Sequence, residues 1–268
     1  MNAKIVSISL ILWIMTCPAR AAMTQDQAKA CLDQANEAFR QANAQTDRRA
    51  AGDLYGKAIL GYERLIRDGG IHNAGLSYNL ANAYLLDDRI GKAIVNYRRA
   101  ERLDPSNADI RKNLAFARSR RVDQVQTETR QKVLQTLFFW HYDFAIKTRL
   151  VLACWFFGLT CLALCARVWL GRRPGLAPVV CAGLVLTVAF VASTAVEHRQ
   201  RSGTVSGVIT AQSVEARQGD GPNYPPSFKD PLHEGTEFQL IERRPGWLHI
   251  QLTSGTEAWI PDATAEVI

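Results

Sequence analysis

The sequence predicts a multidomain chain that joins an all-α solenoid of paired helices, a two-helix transmembrane hairpin and an all-β barrel. Three observations carry that prediction. Small and aromatic residues recur at a spacing of about 34 residues between positions 24 and 122, the period of stacked helix pairs. Two runs without charge, 150–166 (reaching 170 with Val168-Trp169-Leu170) and 175–196, are each long enough to cross a hydrocarbon core about 30 Å thick. From 203 to 268, short alternating segments are broken by Gly and Pro, as in small β-domains.

The solenoid is read from residue types. In the best copy, Leu80-Ala81 and Tyr84 are followed by Ala93, Tyr97, Ala100 and Pro105. Small Ala81, Ala93 and Ala100 let two helix backbones approach, large Leu80, Tyr84 and Tyr97 fill the space between pairs, and Pro105 stops a helix. Asn79-Leu80-Ala81 recurs as Asn113-Leu114-Ala115, and Ala58-Ile59 with Tyr62 precede Ala93-Ile94 with Tyr97. This pattern resembles the tetratricopeptide-repeat (TPR) family, with Ser77 in place of the usual aromatic residue. Ala35-Asn36 resembles Ala81-Asn82 from too far upstream, which predicts an insertion of about eleven residues around 43–53 between the first two helices. A last helix over 108–122 takes the capping position. By their places on the helices, Asn36, Tyr78, Asn82, Leu85, Lys112 and Asn113 are expected in a concave peptide-binding groove. Asn and Lys can hold a peptide carboxylate, and the same Asn residues can equally satisfy polar groups between helices.

The hairpin has its own polarity. Between the two spans, 167–174 carries Arg167, Arg172 and Arg173 and no acid, and a short basic loop belongs on the cytoplasmic side. Both flanking regions then lie outside the cytoplasm, in the periplasm of a bacterial inner membrane. Residues 1–22 agree: Lys4, an apolar stretch over 5–15 and Ala19-Arg20-Ala21 read as a secretory signal. An uncleaved anchor would deliver the chain to the same side. Cys17 does not fit a lipoprotein, because Met15-Thr16 stand where small residues are needed. A linker helix over 123–149 leads into the first span. Its aromatic cluster at 137–142, with His141 beside Asp143, is expected at the membrane interface.

Cysteine usage argues against a disulfide framework, since Cys31 is the single thiol outside the signal and the spans. Cys154, Cys161 and Cys165 share a helix face and, with Cys181, are expected to pack between the membrane helices. Net charge is +7, with a basic cluster over 98–121. A secreted, membrane-attached chain makes nucleic acid an improbable partner, and the cluster reads as a solvated face near anionic headgroups.

In the C-terminal region, Leu248, Ile250 and Leu252 alternate with His249 and Gln251 as in a half-buried strand, and Ser254-Gly255 makes a turn. Val214 with Arg217, then 219–225, 232–236, Gly246-Trp247 with Ile250, and Ala258-Trp259-Ile260-Pro261 resemble the bacterial SH3 family. That resemblance implies a small barrel that binds cell-wall peptides or protein segments through exposed aromatics, here Tyr224, Trp247 and Trp259. The two tryptophans are alternatively barrel core.

Taken whole, the chain resembles the BatE family of the aerotolerance (Bat) operon, on the segment 78–84, the block 138–149 and the terminal domain. The resemblance implies partners with von Willebrand factor A domains and other TPR proteins. The residues themselves point to no chemistry. His72, His141, His198, His233 and His249 are scattered without metal-ligand spacing, and neither a nucleophile elbow nor a phosphate loop is present. The expectation is a scaffold without catalytic residues, cofactor or metal; the alternative is a peptidoglycan-binding anchor or sensor acting through the terminal domain.

Overall fold

The computed structural model describes residues 23–123, 144, 146–169, 171, 175–203 and 205–268. The signal read over 1–22, the aromatic cluster at 137–142 with most of its linker, and Arg172 and Arg173 lie outside the described residues.

Five helices form the first unit: α1 (Gln25–Ala44), α2 (Arg48–Arg67), α3 (Ala74–Leu86), α4 (Ile90–Leu103) and α5 (Ala108–Ser119). Local sequence starts four of them. Thr24 and Gln27 make a reciprocal capping box on α1, while Asp47, Asn73 and Asn107 accept backbone N–H groups of α2, α3 and α5. α4 has no side-chain cap of its own. Its first turn is served from elsewhere in the chain, as described below.

The helix pairs pack through the residues that carry the repeat. Ala58, Ala81, Ala93 and Ala100 are fully buried, and so are the rings of Tyr62, Tyr84 and Tyr97. Tyr62 donates to Asn36 Oδ1 at 2.8 Å, and Tyr97 donates to Asn82 Oδ1 at 2.5 Å. The same bond in both pairs makes Asn36 the counterpart of Asn82, despite the irregular spacing.

The insertion expected around 43–53 is not a loop. α1 and α2 have 20 residues each, against 13 and 14 for α3 and α4. The added residues prolong both helices of the first pair by roughly two turns. They have something to pack on: Tyr55 donates to Asn43 Oδ1 at 2.7 Å and meets the Phe39 ring edge-on at 5.8 Å. Helix that can bury an aromatic pair is more stable than a loop of the same length.

Two helices long and apolar enough to cross a membrane follow, α6 (Ile146–Trp169) and α7 (Leu176–Gly203). Small residues line their contact. A Cβ on Gly183 would come within 2.3 Å of Thr160 Oγ1, and Phe156 stacks on Phe190 at 6.0 Å. Arg149 is buried between them and donates to Ser193 Oγ at 2.7 Å. Val151, Trp155, Phe157, Leu162, Val185 and Val188 point outward. Cys154, Cys161, Cys165 and Cys181 are exposed too, which corrects the expectation that they pack between the helices: Ala153, Thr160, Ala163 and Gly183 occupy that seam.

The last unit is antiparallel: β1 (Ser206–Ile209), β2 (Ser213–Val214), β3 (Leu232–His233), β4 (Glu237–Arg244), β5 (Trp247–Leu252), β6 (Glu257–Pro261) and, after a 3-10 turn, β7 (Ala265–Val267). Five strands form a sheet in the order β6-β5-β4-β1-β7, and β2 pairs with β3 as a separate ribbon. Among the described residues the sheet stays open, with β6 and β7 at its edges, so the expected closed barrel is not observed. The alternation predicted in β5 is present, with Leu248, Ile250 and Leu252 buried. Pro245-Gly246, with Gly246 at φ +80, turns β4 into β5.

β1 belongs to two cores. Ile209 packs among the sheet residues, while its neighbour Val208 packs among the helices, and both are fully buried. The contact is backbone-close at Gly91 in α4, where a Cβ would lie 2.5 Å from the Ile209 carbonyl oxygen and 3.1 Å from Thr210 Cα. Neither neighbour is a side chain that could swing away. Gly91→Ala is therefore expected to push α4 off β1 and destabilise the folded unit by about 1–3 kcal/mol. Thermal unfolding in detergent micelles, with Gly56→Ala as a control in open space, would check it; equal midpoints for the two variants would count against so close an approach.

Candidate functional site

Three of the groove residues, Tyr78, Asn82 and Asn113, share one hydrogen-bond chain with Tyr97. Asn113 Nδ2 donates to Tyr78 Oη at 2.9 Å and to Asn82 Oδ1 at 3.1 Å, and Asn82 Oδ1 also accepts from Tyr97. Each amide is thereby turned so that one end faces protein. The Asn36 and Asn82 amide nitrogens have no protein partner among the described residues, nor does the exposed Lys112. Leu85 differs from expectation: it is buried in the helical core, because α3 packs on both its neighbours at that turn. Phe116 was not singled out from the sequence. It stands at the repeat position of Asn36 and Asn82 and is more than half exposed, so it ends the groove with an apolar surface. The repeat register was the signal that could have found it.

The three aromatics of the terminal unit separate. Tyr224 is half exposed, lies against Gly219, where a Cβ would meet its ring at 2.6 Å, and has its carbonyl held by Arg217 at 2.7 Å. Trp259 is buried without joining the apolar core. It stacks on its cross-strand partner His249 at 4.5 Å, and the Arg244 guanidinium covers the ring at 4.7 Å. Its π surface is already used. Trp247 is half-buried at the start of β5, opposite Pro261.

A third site joins the helical unit to the sheet, and no sequence motif announced it. Glu237 at the start of β4 accepts both hydrogen bonds of Arg118 at 2.7 Å, with Arg121 at 3.3 Å and Arg98 at 3.6 Å. Burial alone would raise this carboxyl, but the Arg118 hydrogen bonds and the three positive charges outweigh it and hold it below the ordinary glutamate range. Arg99 pairs with Glu266 of β7 at 3.0 Å. The basic cluster over 98–121 is thus largely an internal interface, correcting the solvated face expected from charge alone. Helix positions 91, 94 and 98 share one side of α4, and that side meets the sheet, with the exposed Arg102 one turn further on at the sheet's margin.

The turn between β3 and β4 is the other half of the junction. Asp123 accepts from the His233 backbone N–H and the Thr236 hydroxyl, each at 2.7 Å, and faces His233 Nδ1 at 2.8 Å. Burial would raise its carboxyl, yet these bonds outweigh that and lower it. Glu234 accepts from the Gly91 N–H at 3.3 Å and so supplies, across the junction, the cap that α4 lacks. Gly235 sits between them at φ +85, its missing Cβ leaving room for Arg121.

Comparison with known proteins gives one family result: residues 81–120, most of α3 through α5, match the family model for the TPR repeat. The match supports a TPR repeat in this region, and TPR repeats in general mediate protein–protein interaction. No curated protein matches the chain.

The junction sets a pH dependence. The depressed Glu237 carboxyl adds stability at pH values above the unfolded glutamate value of about 4.3, and that stability is lost as pH falls through its lower folded value. Glu237→Gln, which leaves three arginines short of a carboxylate, is expected to cost about 3 kcal/mol at pH 6 and to flatten the loss of stability between pH 6 and 3.5. Urea midpoints of both proteins across that range would decide it; an unchanged pH profile in the variant would remove Glu237 from the account.

Proposed function

We propose that this chain is a membrane-anchored adaptor, held by α6 and α7, that binds segments of other envelope proteins in the groove formed by α1, α3 and α5. The observation that supports this best is the polarity of the groove. Its inner oxygens are spent on Tyr62, Tyr97 and Asn113, whereas the Asn36 and Asn82 amide nitrogens and Lys112 remain as donors. Donors without protein partners suit a peptide's carbonyls or its terminal carboxylate, and Phe116 supplies an apolar contact beside them. The terminal sheet, read as an SH3-like domain, is the second module of the adaptor. The basic loop over 167–174 and the signal over 1–22 support a periplasmic placement of both modules. The BatE resemblance adds the context of a Bat-type aerotolerance or envelope-stress complex with von Willebrand factor A-domain and TPR partners.

Peptidoglycan binding through the sheet has less support. Of its candidate aromatics, Trp259 is covered on its ring by His249 and Arg244 and Trp247 is half-buried, which leaves Tyr224 as the exposed one.

The test is recovery of complexes in mild detergent through the full chain. Asn82→Ala is a poor probe, because it strands the buried Tyr97 hydroxyl at a cost of about 1–3 kcal/mol. Lys112→Glu and Phe116→Ala change exposed groups and should leave the fold intact. Co-purifying envelope proteins are expected with the wild type and with Tyr224→Ala, and to be lost with Lys112→Glu or Phe116→Ala. Loss with Tyr224→Ala alone, or recovery of cell-wall fragments in place of proteins, would move the function to the sheet.

A further inference from the structure

The edge of the helical unit beside the membrane helices carries charge that the protein leaves uncompensated. Arg98 and Arg102 both donate to Ser206 Oγ at 3.4 Å, and Ser206 follows closely on the end of α7 at Gly203. Arg98 is neutralised by Glu101 at 3.3 Å and Glu237 at 3.6 Å. Arg102 has no carboxylate within ion-pair distance among the described residues, and its neighbour Arg98 is a like charge.

The same edge lies next to the start of α6. Asp104 is held below the usual carboxylate range by Ser106 and Asn107, and the positive charge of Lys147 acts on it as well. Lys147 is the first residue of the first candidate span. Beside these charges, Leu103 is 53% exposed and Val205 is 48% exposed. The apolar stretch of α7 ends at Val196, so the remaining turns to Gly203 lift the chain by about 10 Å, the scale of a headgroup layer.

We propose that the edge formed by Arg102, Leu103, Val205 and Ser206 rests on the membrane surface, with Arg102 seating the phosphate of an anionic phospholipid and Leu103 entering the interfacial layer. An arginine fits because its fork meets phosphate oxygens in pairs, and an exposed leucine beside it gains by leaving water. Asp104 is engaged by the turn into α5, where it accepts from the Ser106 hydroxyl at 2.8 Å. The inference rests on reading α6 and α7 as membrane spans, so the two need separate readouts.

Full chain in neutral-detergent micelles is titrated with phosphatidylglycerol, phosphatidylcholine and inorganic phosphate, and bound lipid is counted by native mass spectrometry. Phosphatidylglycerol is expected to be retained over phosphatidylcholine. Its affinity should fall about fivefold in Arg102→Gln, the loss of one basic contact at a membrane surface, and recover only in part in Arg102→Lys, which restores the charge without the fork. Leu103→Ser should weaken retention further without altering the thermal midpoint. Equal retention of the two lipids, or unchanged phosphatidylglycerol binding in Arg102→Gln, would overturn the proposal. So would full displacement by inorganic phosphate, which would make it a free-anion site. Alkaline extraction of membranes tests the spans independently: release of the chain would sink the membrane reading itself, whereas retention with no lipid preference would sink the headgroup site alone.

Discussion

The carboxylate of Glu237 is the constraint around which the two soluble units are arranged. An acid taken mostly out of water must be met by cations and hydrogen bonds, and a half-met one would cost several kcal/mol. Here the cations come from both sides of one helix junction: Arg98 from α4, Arg118 from α5 and Arg121 just beyond it. Their placement requires α4 and α5 to lie at one relative position and β4 to start at one point against them. The paired alternation of β1, with Val208 into the helices and Ile209 into the sheet, follows from that placement. The missing N-cap of α4 fits the same account, because Glu234 is already there to receive the Gly91 N–H.

This arrangement divides the surface of the helical unit. The sheet occupies the side of α4 that carries Gly91, Ile94 and Arg98, so that side is closed to partners. The first helix of each pair keeps its groove side open, where Asn36, Asn82, Lys112 and Phe116 lie. The Tyr–Asn bonds serve two purposes at once. They lock helix to helix within each pair, and they orient each amide so that its nitrogen has no protein partner among the described residues. A groove built this way is stiff before anything binds, which lowers the entropic cost of recognition.

What was legible in the sequence was periodic. The alanines and tyrosines of the repeat, the uncharged runs and the alternation of β5 each repeat at a spacing that physics ties to one element, and each stands where it was expected. What was not legible depended on distant pairs. Nothing near Arg118 in the chain marks Glu237 as its partner, so a run of arginines read as a solvated face. The place of the added residues, within α1 and α2 rather than between them, was hidden for a similar reason. A count of extra residues has no shape until Tyr55 is seen to reach Asn43. For Trp259 the sequence leaves two places open, an exposed binding face or the core, and only its cross-strand neighbours His249 and Arg244, which cover the ring, decide between them.

The junction also bears on how the chain can sit across a bilayer. The helical unit leaves its last turn at Asp123, which grips the turn before β4, and the sheet begins at Ser206, which Arg98 and Arg102 hold. Both ends of the intervening segment are therefore fastened to one body. If α6 and α7 cross the membrane, they must do so as a pair, since an odd number of crossings would put Glu237 and its arginines on opposite sides and leave every one of them unpaired. The packing of α6 on α7 through Gly183, Thr160 and the Arg149–Ser193 bond keeps their two outer ends together at the spacing this body requires. The contacts at the outer ends of the pair are thus enough to keep both soluble units on one side of any membrane that α6 and α7 cross.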